Sequence, residues 1–131
     1  MPEVRGQMPE KIYKGNFEKL IVWQKSHKLV LDVYKVTSEF PKSENLTVSN
    51  QLRRSAYSIP SNIAEGCAKS NKFFISHLII SQGSLEELKY FLILSRDLGY
   101  IKTTEFDELT KQTHEIGKII YTLINNLRSK I

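Results

Sequence analysis

Residues 72–98 read KFFISHLIISQGSLEELKYFLILSRDL, and this stretch decides the fold. Phe74, Leu78, Ser81, Leu85, Leu88, Leu92 and Ser95 recur in strict steps of four and three, the spacing of one face of an α-helix. A second stripe runs beside it: Phe73, His77, Ile80, Ser84, Glu87, Phe91, Leu94 and Leu98. Two neighbouring stripes predict a helix covered on two sides, as in a bundle. Ser70 or Asn71 can cap its start, and Gly99 can end it in a left-handed conformation.

The same period continues on both sides. In residues 104–128, Leu109, Thr113, Ile116, Ile120, Leu123 and Leu127 form one face. Thr103 or Thr104 stands ready as the cap, with Glu105, Asp107 and Glu108 at the positive end of the helix dipole. In residues 47–69, Val48, Leu52, Ala56, Ile59 and Ile63 line up, with Thr47 or Ser49 as cap. Pro60 lies inside that run and predicts a kink near residues 56–59, or else two short helices with Pro60 opening the second. In residues 17–38, Leu20, Trp23, Val30 and Tyr34 follow the spacing, His27 and Thr37 fill the stripe, and Leu29, Val33 and Val36 widen it. Pro41 ends this segment, and residues 39–46 read as a loop.

Nowhere is there the period-two alternation of a half-buried strand. The reading is an all-α protein, an antiparallel up-down-up-down four-helix bundle over residues 17–131 with the second helix kinked at Pro60. Residues 1–16, polar and carrying Pro2, Pro9, Gly6 and Gly15, read as a flexible N-terminal tail without the apolar core of a signal peptide.

A chain of 131 residues is one domain's worth, and 40% apolar with 25% charged residues is ordinary for a globular protein. The net charge of +5 permits an anionic partner without demanding one. Cys67 is the only cysteine, so no intramolecular disulfide can form, which fits a reducing cytoplasm. No run approaches the roughly 18 apolar residues of a membrane span. The residues three before His27, His77 and His114 are Gln24, Phe74 and Lys111, so the Glu-x-x-His motif of di-iron bundles is missing. The three histidines sit on three different helices and could in principle meet in the core. Clustered phosphate-binding glycines and a Gly-x-Ser-x-Gly elbow are also missing. The expectation is a binding protein, not an enzyme, without metal or cofactor.

The segment from Arg53 to Gly66, RRSAYSIPSNIAEG, stands out. Ser55, Ala56, Ser58, Ser61 and Ala64 are small enough to seat a neighbouring helix closely, within the chain or from another subunit. Arg53 and Arg54 either contact phosphates or pair with acids on the third helix, such as Glu86 or Glu87. Lys69 and Lys72 extend this basic set as nucleic-acid candidates. Ser58, Pro60, Asn62 and Glu65 are candidates for helix packing or an oligomer interface. Asn62 and Glu65 are expected to satisfy backbone groups near the kink or to meet another subunit. Tyr90 and Tyr100 are expected to be exposed and to suit a protein partner.

These residues also carry a resemblance. FEKLIVWQKS at residues 17–26, QLRRS at 51–55, SIPSNIAEG at 58–66, GSLEEL at 83–88 and LGYI at 98–101 resemble the motifs of the S23-like proteins encoded in intervening sequences of bacterial 23S ribosomal RNA genes. The resemblance implies a four-helix bundle assembled as a ring-like homopentamer, a link to structured RNA and no enzymatic activity. A similar protein, the accessory variability determinant of diversity-generating retroelements, implies a basic surface for nucleic acid and a reverse transcriptase as partner. By that resemblance Arg53 and Arg54 are the first candidates. A protein-interaction scaffold is the competing reading.

Overall fold

The computed structural model describes residues 16–131; the rest of the expected tail, residues 1–15, lies outside the described residues. Four α-helices follow in order: α1 Ile21–Thr37, α2 Val48–Cys67, α3 Asn71–Asp97 and α4 Thr103–Arg128. Two short 3-10 turns, Phe17–Lys19 and Lys42–Glu44, precede α1 and α2. The first helix is thus shorter than its periodicity suggested, because Leu20 is extended at φ −77°, ψ 126° and separates the 3-10 turn from α1.

The helices touch in a ring, α1 to α2 to α3 to α4 and back to α1. Their pairings run in opposite senses. On α2 and α3, Asn62 meets His77, Ile59 meets Ser81 and Ser58 meets Ser84. Between α1 and α4, Lys25 meets Glu115 and Asp32 meets Gln112. Between α3 and α4, Leu85 approaches Gly117 and Arg96 lies over Phe106. Antiparallel pairing on these three edges leaves α1 and α2 antiparallel as well.

All seven residues of the first α3 stripe are buried, as are the Val48-to-Ile63 stripe of α2 and the Leu109-to-Leu127 stripe of α4. Two expectations change. On α1 the buried face is Val22, Ser26, Leu29, Val30, Val33 and Thr37, while His27 and Tyr34 are exposed. The core line is therefore rotated from the aromatic stripe. Trp23 and His27 stack on each other at 5.0 Å on the helix flank, with Trp23 only half-buried. On α3 the second stripe is not covered by its own chain: Phe73 is 59% exposed, Ile80 51% and Leu98 49%.

The ends have local causes. Ser70 Oγ accepts from Phe73 N–H at α3's start. Gly99 at φ 77° ends α3, with Tyr100 N–H bonded to Ser95 O and Gly99 N–H to Arg96 O, a Schellman closure. At α4 neither threonine caps; Glu105 reaches back to Lys102 N–H at 3.2 Å. At α2 Thr47 holds the cap position without capping. Its hydroxyl bonds the Glu44 carboxylate, which also accepts from Tyr100 Oη at 3.0 Å. The Thr47 bond first, then that from Tyr100, holds the Glu44 carboxyl below its usual range. Helix α2 runs unbroken through the buried Pro60, so the two-helix alternative does not occur.

Helices α2 and α3 pack very closely where Gly66 crosses His77. A Cβ on Gly66 would lie 2.7 Å from His77 Cβ and 3.0 Å from Phe74 Cδ1. Both neighbours are fixed parts of a packed helix, so Gly66→Ala must push α2 and α3 apart. We expect a loss of about 1–3 kcal/mol, read as a lower urea midpoint by circular dichroism, whereas Gly83→Ala, with open space around it, should cost nothing of that kind.

Candidate nucleic-acid interface

The signature segment of α2 builds a polar seam against α3. Asn62 Nδ2 donates to Ser58 O at 2.9 Å, and Ser84 Oγ donates to Ser58 Oγ at 2.8 Å. Asn62 Oδ1 lies 3.0 Å from His77 Nδ1, and Lys69 Nζ lies 3.2 Å from His77 Nε2. A lysine ammonium only donates, so Nε2 is the acceptor and Nδ1 carries the proton given to Asn62. Glu65 stands beside the pair, 3.6 Å from Lys69 Nζ and 4.0 Å from His77 Nδ1. One level deeper, Ser81 Oγ donates to Ile59 O at 3.0 Å, on the carbonyl that precedes Pro60. Of the small residues, Ser55 and Ala56 are buried, Ser58 and Ala64 are half-buried, and Ser61 is exposed.

The four basic candidates do not converge. Arg53 is turned to α1: its Nε donates to Thr37 Oγ1 at 2.8 Å and its guanidinium lies 5.0 Å from the centre of the Tyr34 ring. It pairs neither with phosphate-ready solvent space nor with Glu86 or Glu87. Arg54, one residue on, is exposed and has no acidic partner among the described residues. Lys69 and Lys72 flank the α2–α3 connection, about 22 Å along the helix from Arg54 at 1.5 Å per residue. Lys69 is engaged by Glu65 and His77; Lys72 is exposed and has no acidic partner among the described residues.

His27, His77 and His114 do not meet: only His77 is half-buried, and the other two are exposed. Among the described residues no three His, Cys, Asp or Glu side chains gather as metal ligands would. No described helix is long and apolar enough to cross a membrane. Tyr90 is 57% exposed, but Tyr100 is half-buried and its hydroxyl is bound to Glu44.

Sequence reasoning placed no nucleic-acid candidate on α4 and read Arg128 only as suiting the negative end of the helix dipole, yet that helix carries an exposed row: Lys111, His114, Lys118, Tyr121, Asn125 and Arg128. Of the neighbouring acids, Asp107 and Glu108 stay exposed one turn before Lys111, while others are engaged along α1. Glu115 binds Lys25 of α1, whose hydrogen bond and charge hold its carboxyl below the usual range. Asp32 is pushed up by burial, but bonds from Lys28 and Gln112 outweigh this and hold it low. The signal was legible as recurring basic residues three and four apart, but which acids are engaged elsewhere depends on the α1–α4 contact.

The sequence profile of the 23S rRNA-intervening sequence proteins matches residues 18–122. The chain belongs to this family. A solved structure from the S23 ribosomal protein family, a Bacteroides thetaiotaomicron protein of unknown function, superposes with a TM-score of 0.71. The two are 28% identical over 79% of this chain and 98% of the other. No curated relative matches. In this family member, then, the arginine pair splits by role. Arg53→Ala should lower stability by about 1 kcal/mol through the lost Thr37 bond and the Tyr34 contact. Arg54→Ala should stay within about 0.5 kcal/mol of the parent. Urea denaturation of the two variants side by side checks this.

Proposed function

We propose that this 23S rRNA-intervening sequence family member is a non-enzymatic, oligomeric binding protein of the bacterial cytoplasm that holds structured RNA or other nucleic acid through basic side chains. The observation that carries the reading is the set of exposed cations, Arg54 and Lys72 on α2 and α3 among them, with no acidic partner among the described residues. Such cations gain by replacing counterions on phosphates. Fluorescence anisotropy with a structured RNA and with duplex DNA, at low and moderate salt, tests it. Binding should weaken steeply with salt. Arg54→Ala or Lys72→Ala should each reduce the slope of log affinity against log salt by about 1. Flat, salt-independent signals with both nucleic acids at low salt would refute the reading.

Self-association is the second part of the proposal. Phe73, Ile79, Ile80, Tyr90 and Ile93 leave the outer face of α3 apolar and exposed. Such a face, larger than scattered apolar residues, suits a protein partner. We assign it to further copies of the chain, with a pentamer as the family resemblance implies. Light scattering at micromolar concentration should give several times the 15.2 kDa of one chain, and Ile80→Asp should lower that mass without loss of helicity. A parent protein of monomeric mass would turn the same face toward the scaffold reading, in which α3 docks a different protein such as a reverse transcriptase.

A further inference from the structure

We propose that the groove between α3 and α4, with the cation row of α4 on its rim, binds single-stranded RNA by stacking bases on Tyr121 while phosphates follow Lys111, Lys118 and Arg128. This rests on the nucleic-acid reading above but places the contact on a different surface from Arg54 and Lys72.

The groove encloses about 750 Å³ between the two helices. Its floor is Leu85 against Gly117, where the missing side chain matters: a Cβ on Gly117 would come within 3.3 Å of Leu85 Cδ2. Its walls are Tyr121 and Lys118 on α4, with Gln82 and Lys89 on α3. An apolar floor, a ring on one wall and an amide opposite suit a nucleobase, which presents a flat face and a hydrogen-bonding edge. Tyr121 is 63% exposed, too open to serve the core, and it stands three residues beyond Lys118 and so on the same face of α4.

The charges favour a polyanion. Lys111, Lys118 and Arg128 are exposed along residues 111–128 of one helix, about 25 Å at 1.5 Å per residue. None has an ion pair among the described residues: Glu115 is held by Lys25, and Glu86 across the groove by Lys89 at 2.9 Å. Lys111 still feels Glu115 and has the exposed Asp107 and Glu108 one turn before it, so Lys118 and Arg128 are the more open cations of the row. On α1, Lys25 and Lys28 are held by Glu115 and Asp32, and the outward faces of α2 and α3 lack this combination. That of α2 includes Arg54 together with Glu65, and that of α3 is largely apolar. In a duplex the bases are stacked within the helix and cannot reach a tyrosine in a groove, so the unpaired strand is the form that uses all the parts.

The test is anisotropy with a fluorescent 12-nucleotide single-stranded RNA of mixed sequence, titrated at several salt concentrations. Tyr121→Ala should weaken binding about 5- to 150-fold without changing the salt slope, and Tyr121→Phe should restore most of it. Lys118→Ala should reduce the slope by about 0.7, the single-strand value per phosphate. Both side chains are exposed, so circular dichroism should be unchanged. Full affinity in Tyr121→Ala, or a preference for duplex RNA that Tyr121→Ala leaves intact, would overturn the groove as a base site. If Arg54→Ala and Lys72→Ala weaken binding while Lys118→Ala does not, the nucleic-acid reading stands and this surface is wrong. If the parent protein binds no RNA at low salt, both fall.

Discussion

The near-contact of α2 and α3 at Gly66 and His77 is the constraint on which the rest of the bundle depends. Helices usually pack with axes 8–10 Å apart, set by the side chains between them. Here glycine on one side, and serine and alanine further along, bring the backbones close enough for side chain-to-backbone bonding. Ser81 can reach the Ile59 carbonyl only at such a separation. A proline at the following position removes one donor from the α2 ladder, and a helix carrying that defect in solvent would tend to break there. Buried in the bundle, Pro60 is held inside one continuous helix. Tertiary packing has overridden a local preference that on its own costs about 3 kcal/mol.

The same closeness explains the polar seam at the edge of the contact. Asn62, Ser58, Ser84, His77 and Lys69 would each lose hydration when two helices approach, and each finds a partner on the facing helix or within its own turn. Such a network is favourable only if satisfied. It fixes the relative register of α2 and α3, since a shift by one turn would leave an asparagine amide and an imidazole without partners. The signature SIPSNIAEG is in this light a packing motif first. Asn62 takes the backbone role expected of it with one end, on the Ser58 carbonyl, and with the other meets His77 of its own chain across the seam, 15 residues away.

What could be read from sequence follows the same physics. Periodicity reports which residues avoid water, so the seven-residue stripe from Phe74 to Ser95 and the faces of α2 and α4 were legible. It does not report who covers them. Phe73, Ile80 and Leu98 repeat as regularly as the core stripe, yet their own chain leaves them about half exposed. On α1 the aromatic residues drew the stripe to one side of the true core, because Trp and Tyr pack well at boundaries with one edge in solvent. Arg53 and Arg54 are neighbours in sequence but about 100° apart around the helix, and only the position of Thr37 and Tyr34 tells that the first is committed to α1. The histidines show the same limit: His77 acquires its role from α2, while His27 and His114 remain at the surface.

Charge is the property least visible in a linear reading, because a net value of +5 says nothing about where the excess sits. Folding sorts it. Along the α1–α4 contact, Glu115 and Asp32 are drawn toward Lys25 and Lys28, and their carboxyls are held ionised by those partners. The acids thus tie α1 to α4 and leave Lys118 without an ion pair among the described residues, while Lys111 still shares the Glu115 charge. Exposed pairs of this kind contribute little stability, so their larger physical effect is on the surface potential. On α3 beyond Lys72 the outer face is mostly apolar, with Ile79, Ile80, Tyr90 and Ile93 exposed beside Glu86 and Glu87. If self-association covers that face while α4 remains outside, the assembly would multiply the open cations around its rim, and a ring of copies would present several equivalent grooves to one strand.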